Sequence, residues 1–137
     1  SPCGRGTAIS NDTSPPLFPH ILCVDDNHDV SDTNALILSL NGFVAEACYD
    51  GITALRLARQ PPPDLCFIDL NMPGMDGDEL AIRLRELAPR RLMTLVAVTA
   101  MSREGDVRRL ARAGFAIHLI KPADPTMLVN IAKGMHD

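Results

Sequence analysis

The chain has no tryptophan, one tyrosine and four phenylalanines, so aromatic side chains make up only 4% of it. A core built from these residues is aliphatic, and a stacking platform for single-stranded nucleic acid is not expected. Dense runs of lysine or arginine are also missing, and the net charge is −4. Both facts argue against a phosphate-backbone surface and against direct contact with nucleic acid. No apolar run approaches the ~20 residues of a bilayer span, and no signal-peptide pattern opens the chain, so no membrane contact is expected. The four cysteines, Cys3, Cys23, Cys48 and Cys66, share no C-x-x-C spacing. Cys23 and Cys66 fall inside apolar runs and read as small core residues. These absences fit a reduced, cytoplasmic setting. An initiating methionine is lacking as well, as expected of a fragment or a processed form.

What is present suits one domain of ordinary size: 137 residues, 46% of them hydrophobic and 22% charged. Residues 1–19 carry Gly4, Gly6, Pro15, Pro16 and Pro19 among small polar residues without periodicity, and read as a flexible linker or a cloning remnant. Residues 20–137 form the folded domain. Within it, short apolar runs alternate with helical periods. Strands are expected at Ile21 to Val24, Phe43 to Cys48, Leu65 to Ile68, Met93 to Val98 and Phe115 to Ile120. Glu46 in the second run suggests an edge position. The first helix should bury Val30, Asn34, Ile37 and Leu40 or Asn41, and end at Asn41-Gly42. The second carries Ala54, Leu55 and Ala58, and the third starts at Asp78 or Glu79 with Leu80, Leu84 and Leu87 inward. Val107, Leu110 and Ala111 mark the fourth. Leu128, Ile131, Ala132 and Met135 mark the last, over Ala123 to Met135. Regular alternation of strand and helix implies an α/β fold: a doubly wound, five-stranded parallel sheet covered on both faces.

The stretch Leu65-Cys-Phe-Ile-Asp69-Leu-Asn-Met-Pro-Gly-Met-Asp-Gly77 organises the rest. An apolar strand delivers a carboxylate, Asp69, to a loop rich in turn residues, just past a strand's carboxyl end, where open α/β sheets bind ligands. Taken alone, Asp69 reads as a turn-stabilising residue, Asp26 as a helix N-cap, and Lys121 as a solvated amine. The strand ends, however, read Asp25-Asp26, Asp69, Thr99 and Lys121. In strand order 2-1-3-4-5 all five converge on one edge of the sheet. Three crowded carboxylates repel one another and need a cation. Oxygen ligands suit a hard ion, Mg2+ above all with Mn2+ as a substitute, which also recruits phosphate oxygens. One carboxylate can then attack phosphorus to give an aspartyl phosphate, with the Lys121 ammonium offsetting charge and the Thr99 hydroxyl bonding a phosphoryl oxygen.

On these residues the chain resembles the receiver domain of bacterial two-component response regulators, from His20 to Met135. The signature is spread over four strand ends, with Pro-Gly-Met-Asp-Gly and Lys-Pro as context. The resemblance implies the flavodoxin-like receiver fold, with Asp25 and Asp26 organising the metal and Asp69 as phosphoacceptor. Asn71 would supply a backbone carbonyl to the metal, Thr99 the switch hydroxyl and Lys121 the phosphate-binding amine, with Lys121-Pro122 cis. It further implies a signalling domain rather than an enzyme, one that assists its own phosphorylation and dephosphorylation. Its partners would be a sensor histidine kinase or a histidine phosphotransfer protein. His118 departs from the family, which usually carries Tyr or Phe at that switch position. Asn71 and Met101 take the places that flank the hydrolytic water, and a thioether there predicts a long-lived phosphorylated form. His20, His28 and His136 read as surface residues. An aspartate-nucleophile phosphatase is the alternative, disfavoured because Asn71 stands where its general acid would be, and an unphosphorylated receiver-like scaffold is another. Because the polar segment is N-terminal and no further domain follows Asp137, the C-terminal receiver of a hybrid sensor kinase is the expected context. A stand-alone regulator comes second, and an excised N-terminal receiver is a third context.

Overall fold

A computed structural model describes residues 19–59, 61–88, 93–100 and 104–136. All but Pro19 of the linker assigned to residues 1–19, and the methionine at position 101, lie outside the described residues. Five strands, β1 (His20–Val24), β2 (Val44–Cys48), β3 (Leu65–Asp69), β4 (Thr94–Thr99) and β5 (Ile117–Ile120), alternate with five helices. The helices are α1 (His28–Leu40), α2 (Gly51–Ala58), α3 (Gly77–Leu87), α4 (Glu104–Ala113) and α5 (Pro125–His136). All strands run parallel, in the order β2-β1-β3-β4-β5. The sheet is the one the alternation predicted, with β2 at an edge. Strand starts shift inward by one or two residues at β2, β4 and β5, because Phe43, Met93 and Phe115 are buried just ahead of the first ladder bond.

Period-two alternation of strand side chains splits the core into two layers. On one side Leu22, Val24, Cys66, Ile68 and Leu95 pack against Ala54 and Ala58 of α2, Leu80 and Leu84 of α3, and Leu110 of α4. On the other, Ile21, Cys23, Phe67 and Val96 pack against Ala35 and Leu38 of α1 and Leu128 and Ala132 of α5. Each fully buried Leu or Ile contributes roughly 1.5–3 kcal/mol. The expectation of an aliphatic core holds. Cys23, Cys48 and Cys66 are buried free thiols. Burial pushes the first two up to about 12 and raises the third as well, so none is a ready nucleophile.

Two helical stripes differ from expectation. In α1 the buried residues are Ser31, Ala35 and Leu38, while Val30 is 41% and Leu40 77% exposed. Ser31 is the cause: its hydroxyl lies 2.8 Å from the Cys23 carbonyl and 3.1 Å from that of Cys48, seating the helix one residue off the apolar register. In α4, Leu110 and Ala113 are buried, whereas Val107 and Ala111 are exposed. Leu110 and Ala113 are three apart and share a face, which turns Ala111, next to Leu110, outward; Val107 lies on the buried side but one turn earlier, where it stays 41% exposed. His20 is also not a surface residue. Its side chain is only 13% exposed and its Nε2 lies 3.0 Å from Glu46 on the neighbouring strand. No helix among the described residues is long and apolar enough to cross a membrane.

Candidate phosphoryl-acceptor site

Register fixes the site. Val24 pairs with Cys48 on one side and Ile68 on the other, Asp69 with Val98, and Thr99 with Ile120. The carboxyl ends of β1, β3, β4 and β5 therefore lie along one edge, and Asp25, Asp26, Asp69 and Lys121 line one cavity of about 820 Å³ there. Ligand-capable oxygens of the three aspartates all lie within 4.8 Å of one another. Asp25 and Asp69 are buried and Asp26 is exposed, so the cluster opens to solvent on one side.

Asp69 is 1% exposed, and its two oxygens have different surroundings. Oδ1 accepts from the Lys121 ammonium at 2.9 Å and from the Asn71 N–H at 3.0 Å. Oδ2 is buried without a hydrogen-bond partner among the described residues. A buried carboxylate oxygen left in that state is costly unless a ligand satisfies it. Crowding appears again at Asp25: burial raises its carboxyl above the usual range, and the nearby Asp69 carboxylate pushes the same way. The Asn27 N–H, which donates to Asp25 Oδ1 at 2.9 Å, and the Lys121 charge oppose that rise. An oxygen-only donor set with an excess of negative charge and one orphaned oxygen fits a hard divalent cation such as Mg2+ or Mn2+.

Helix and turn chemistry hold these groups in place. Asn27, not Asp26, caps α1, its side-chain oxygen accepting from Val30 N–H at 3.3 Å. Asp26 is thereby left to the cluster. Asp25 and Asp69 each accept from the N–H two residues on, in Asp-x-Asn sequences at two strand ends. This repeated turn was legible in the sequence as a spacing, and it marks Asn27 as a positioning residue that the reading of the motif passed over. Asn71 is held by the second turn, so its backbone is fixed beside Asp69. Past it, Gly74 takes a φ of 81°, and Asp76 caps α3, accepting from Glu79 N–H at 2.9 Å. The helix starts at Gly77 rather than at Asp78 or Glu79.

Thr99 is buried at the end of β4, and its carbonyl accepts from Lys121 N–H at 2.7 Å, which places the Lys121 backbone over the β4 end. The bond from Lys121 to Pro122 is cis. His118 is not brought to the acid cluster. It is exposed on β5, opposite Ala97 in register.

Comparison with known proteins agrees with this geometry. Residues 21–133 match the response regulator receiver domain family. An uncharacterised 14.6 kDa protein from Leptolyngbya boryana is 36% identical over 113 residues, covering 82% of this chain and 86% of that protein. Sensor protein GacS of Pseudomonas syringae pv. syringae is 31% identical over 130 residues, 90% of this chain but only 14% of that protein. A CheY-like receiver domain from Methanospirillum hungatei JF-1 superposes with a TM-score of 0.76 at 26% identity, covering 88% of this chain and 94% of that one. With the sheet order, the strand-end acids and the family match in agreement, the chain belongs to the response regulator receiver domains of two-component signalling.

Proposed function

We propose that this domain is the phosphoacceptor of a two-component phosphorelay, taking a phosphoryl group on Asp69 from the phosphohistidine of a sensor histidine kinase or a histidine phosphotransfer protein. The observation that carries the reading is the asymmetry of Asp69: one oxygen is held by Lys121 and Asn71, and the other is buried and unpartnered beside two further acids. The held oxygen fixes the carboxylate and the free one attacks phosphorus. The phosphorus–nitrogen bond breaks and its electron pair returns to the imidazole. Lys121 already sits within hydrogen-bond distance of Asp69 and would offset the charge that the phosphoryl oxygens bring. Asp25, Asp26, Asp69 and the Asn71 carbonyl would hold Mg2+, which supplies charge neutralisation for carboxylates and phosphoryl oxygens alike. Thr99, at the end of the adjacent strand, is assigned the switch hydroxyl.

The phosphatase alternative stays disfavoured, because Asn71, where its general acid would stand, cannot give up a proton. The match to part of a sensor protein supports a place within a larger kinase chain, and an activity of any such parent belongs to the same proposal. The test is incubation with acetyl phosphate and Mg2+ followed by intact mass. One phosphoryl group should appear on the wild type and none on Asp69→Asn, which keeps the shape but removes the nucleophile. Uptake by Asp69→Asn at the wild-type rate would refute the assignment.

A further inference from the structure

Two of the three clustered acids, Asp25 and Asp26, stand on the turn between β1 and α1, and Asp26 is exposed. That turn is held from the side of β2, a strand that gives the cluster no carboxylate. The Cys48 carbonyl at the end of β2 accepts from Asp25 N–H at 3.1 Å and from the Ser31 hydroxyl at 3.1 Å. The next residue, Tyr49, makes two contacts of its own with the start of α1. Its ring stacks on that of His28, with centroids 3.7 Å apart and planes inclined by 13°. Its phenol O–H donates to the Asp32 carboxylate. His28 and Asp32 are one helical turn apart, so both contacts fall on one face of α1. Both residues are exposed, so neither contact is a by-product of core packing.

Because β1 lies between β2 and β3, Tyr49 and Asp69 flank the acid-bearing turn on opposite sides. Repulsion among the three carboxylates works to drive the turn away from Asp69, towards β2. The stacked ring limits that retreat, and the phenol bond keeps α1 from lifting away. We infer that Tyr49 is a positioning residue for the cation site, setting Mg2+ affinity by keeping Asp25 and Asp26 within reach of Asp69. The inference rests on the reading of the acid cluster as a divalent-cation site. Apparent affinity scales with the fraction of molecules whose ligands are already assembled, and that fraction is what the clamp controls. Asp69 and Lys121 stand on β3 and just past β5, beyond the reach of Tyr49, so the nucleophile and its ammonium partner do not depend on it.

The experiment titrates Mg2+ into the full chain, well below its melting temperature, and reads binding from the amide resonance of Asp26. The proteins are wild type, Tyr49→Phe, Tyr49→Ala and His28→Ala. The dissociation constant should rise about fivefold in Tyr49→Ala and about twofold in Tyr49→Phe, which loses the phenol bond but keeps the stack. His28→Ala should also weaken binding, and adding it to Tyr49→Ala should change nothing further, because both remove the same stack. His28 is exposed, so His28→Ala folds even if Tyr49→Ala does not. At saturating Mg2+ the rate of phosphorylation by acetyl phosphate should equal that of wild type in every variant that folds. Unchanged Mg2+ affinity in the variants, or a saturating rate that falls along with affinity, would overturn the positioning role and leave the cation site standing. Failure of the wild type to bind Mg2+ at millimolar concentration would overturn both.

Discussion

Asp25 illustrates at the scale of a single residue what the site costs the fold. Its carboxyl is raised first by burial and then by Asp69, so the charged form is disfavoured in the folded protein. A carboxylate whose folded value lies above its unfolded one favours the folded state at low pH, and loses that benefit as pH rises through the folded value. At neutral pH the charge is therefore a liability, and Asp25→Asn should raise the melting temperature in EDTA by a few degrees. The difference should shrink as pH falls towards 3.8, the ordinary Asp value. In millimolar Mg2+ the order should reverse, because the wild type gains a bound cation and the variant loses most of its affinity. Thermal melts of both proteins with and without the metal test this, and a variant no more stable than wild type in EDTA would contradict it. Gly77 makes a different single-residue case. A Cβ there would lie 2.7 Å from Leu70 Cδ2, 2.9 Å from Leu70 Cα and 3.0 Å from the Asp69 carbonyl. Since two of those atoms are backbone, Gly77→Ala has to move the segment that carries Asp69. We expect a loss of about 1–3 kcal/mol in urea melts, together with slower phosphorylation.

Among the elements, α2 depends most visibly on its cap. Asp50 accepts from the N–H of Thr53 at 2.7 Å and from its hydroxyl at 3.0 Å, and these bonds hold its carboxyl below the usual range. Asp50→Ala should destabilise the domain by about 1 kcal/mol. Because the folded value is depressed, the contribution is present above the unfolded value of 3.8 and is lost as pH falls through the folded one. Urea melts at pH 7 should separate variant from wild type, and the gap should narrow on acidification below pH 3.8. Elements were also the scale at which the sequence could be read most fully. Strand-to-helix alternation, Asn41-Gly42 at the end of α1 and the acids at the strand ends are local signals, and each has its place in the structure. The stripe of α1 could not be read that way. A serine scores as polar, yet Ser31 is 0% exposed because two strand-end carbonyls from different strands converge on it. His20 was misread for the same reason: its partner Glu46 is 26 residues away and adjacent only across the sheet. Periodicity reports which side chains are apolar, and it cannot report polar partners brought together by the ladder.

Taken as a whole, the molecule couples its outer strand β5 to its central strand β3 through one contact. Lys121 begins where β5 ends, and its ammonium reaches past β4 to Asp69 on β3, while its N–H is fixed by the carbonyl of Thr99 on β4 itself. Three neighbouring strands thus meet at a single residue. On the proposed reading, any group placed on Asp69 should compete for the Lys121 ammonium, and the change is expected to reach β5, whose Ile117, His118 and Ile120 are exposed. A ligand shifts a conformational equilibrium only through contacts that differ between the two states, and the proposed role of Asp69 predicts that this ion pair is such a contact. Lys121→Ala should leave the fold in place at a cost of about 2 kcal/mol, below the usual loss for breaking a buried pair because the lysine is partly solvated. Its larger effect should be on coupling. In wild type, beryllofluoride with Mg2+ acts as a phosphoryl mimic and should shift amide resonances both around Asp69 and along Ile117 to Ile120. In Lys121→Ala the shifts near Asp69 should persist while those on β5 collapse. Equal β5 shifts in the two proteins would show that the signal reaches the far edge of the sheet by another route.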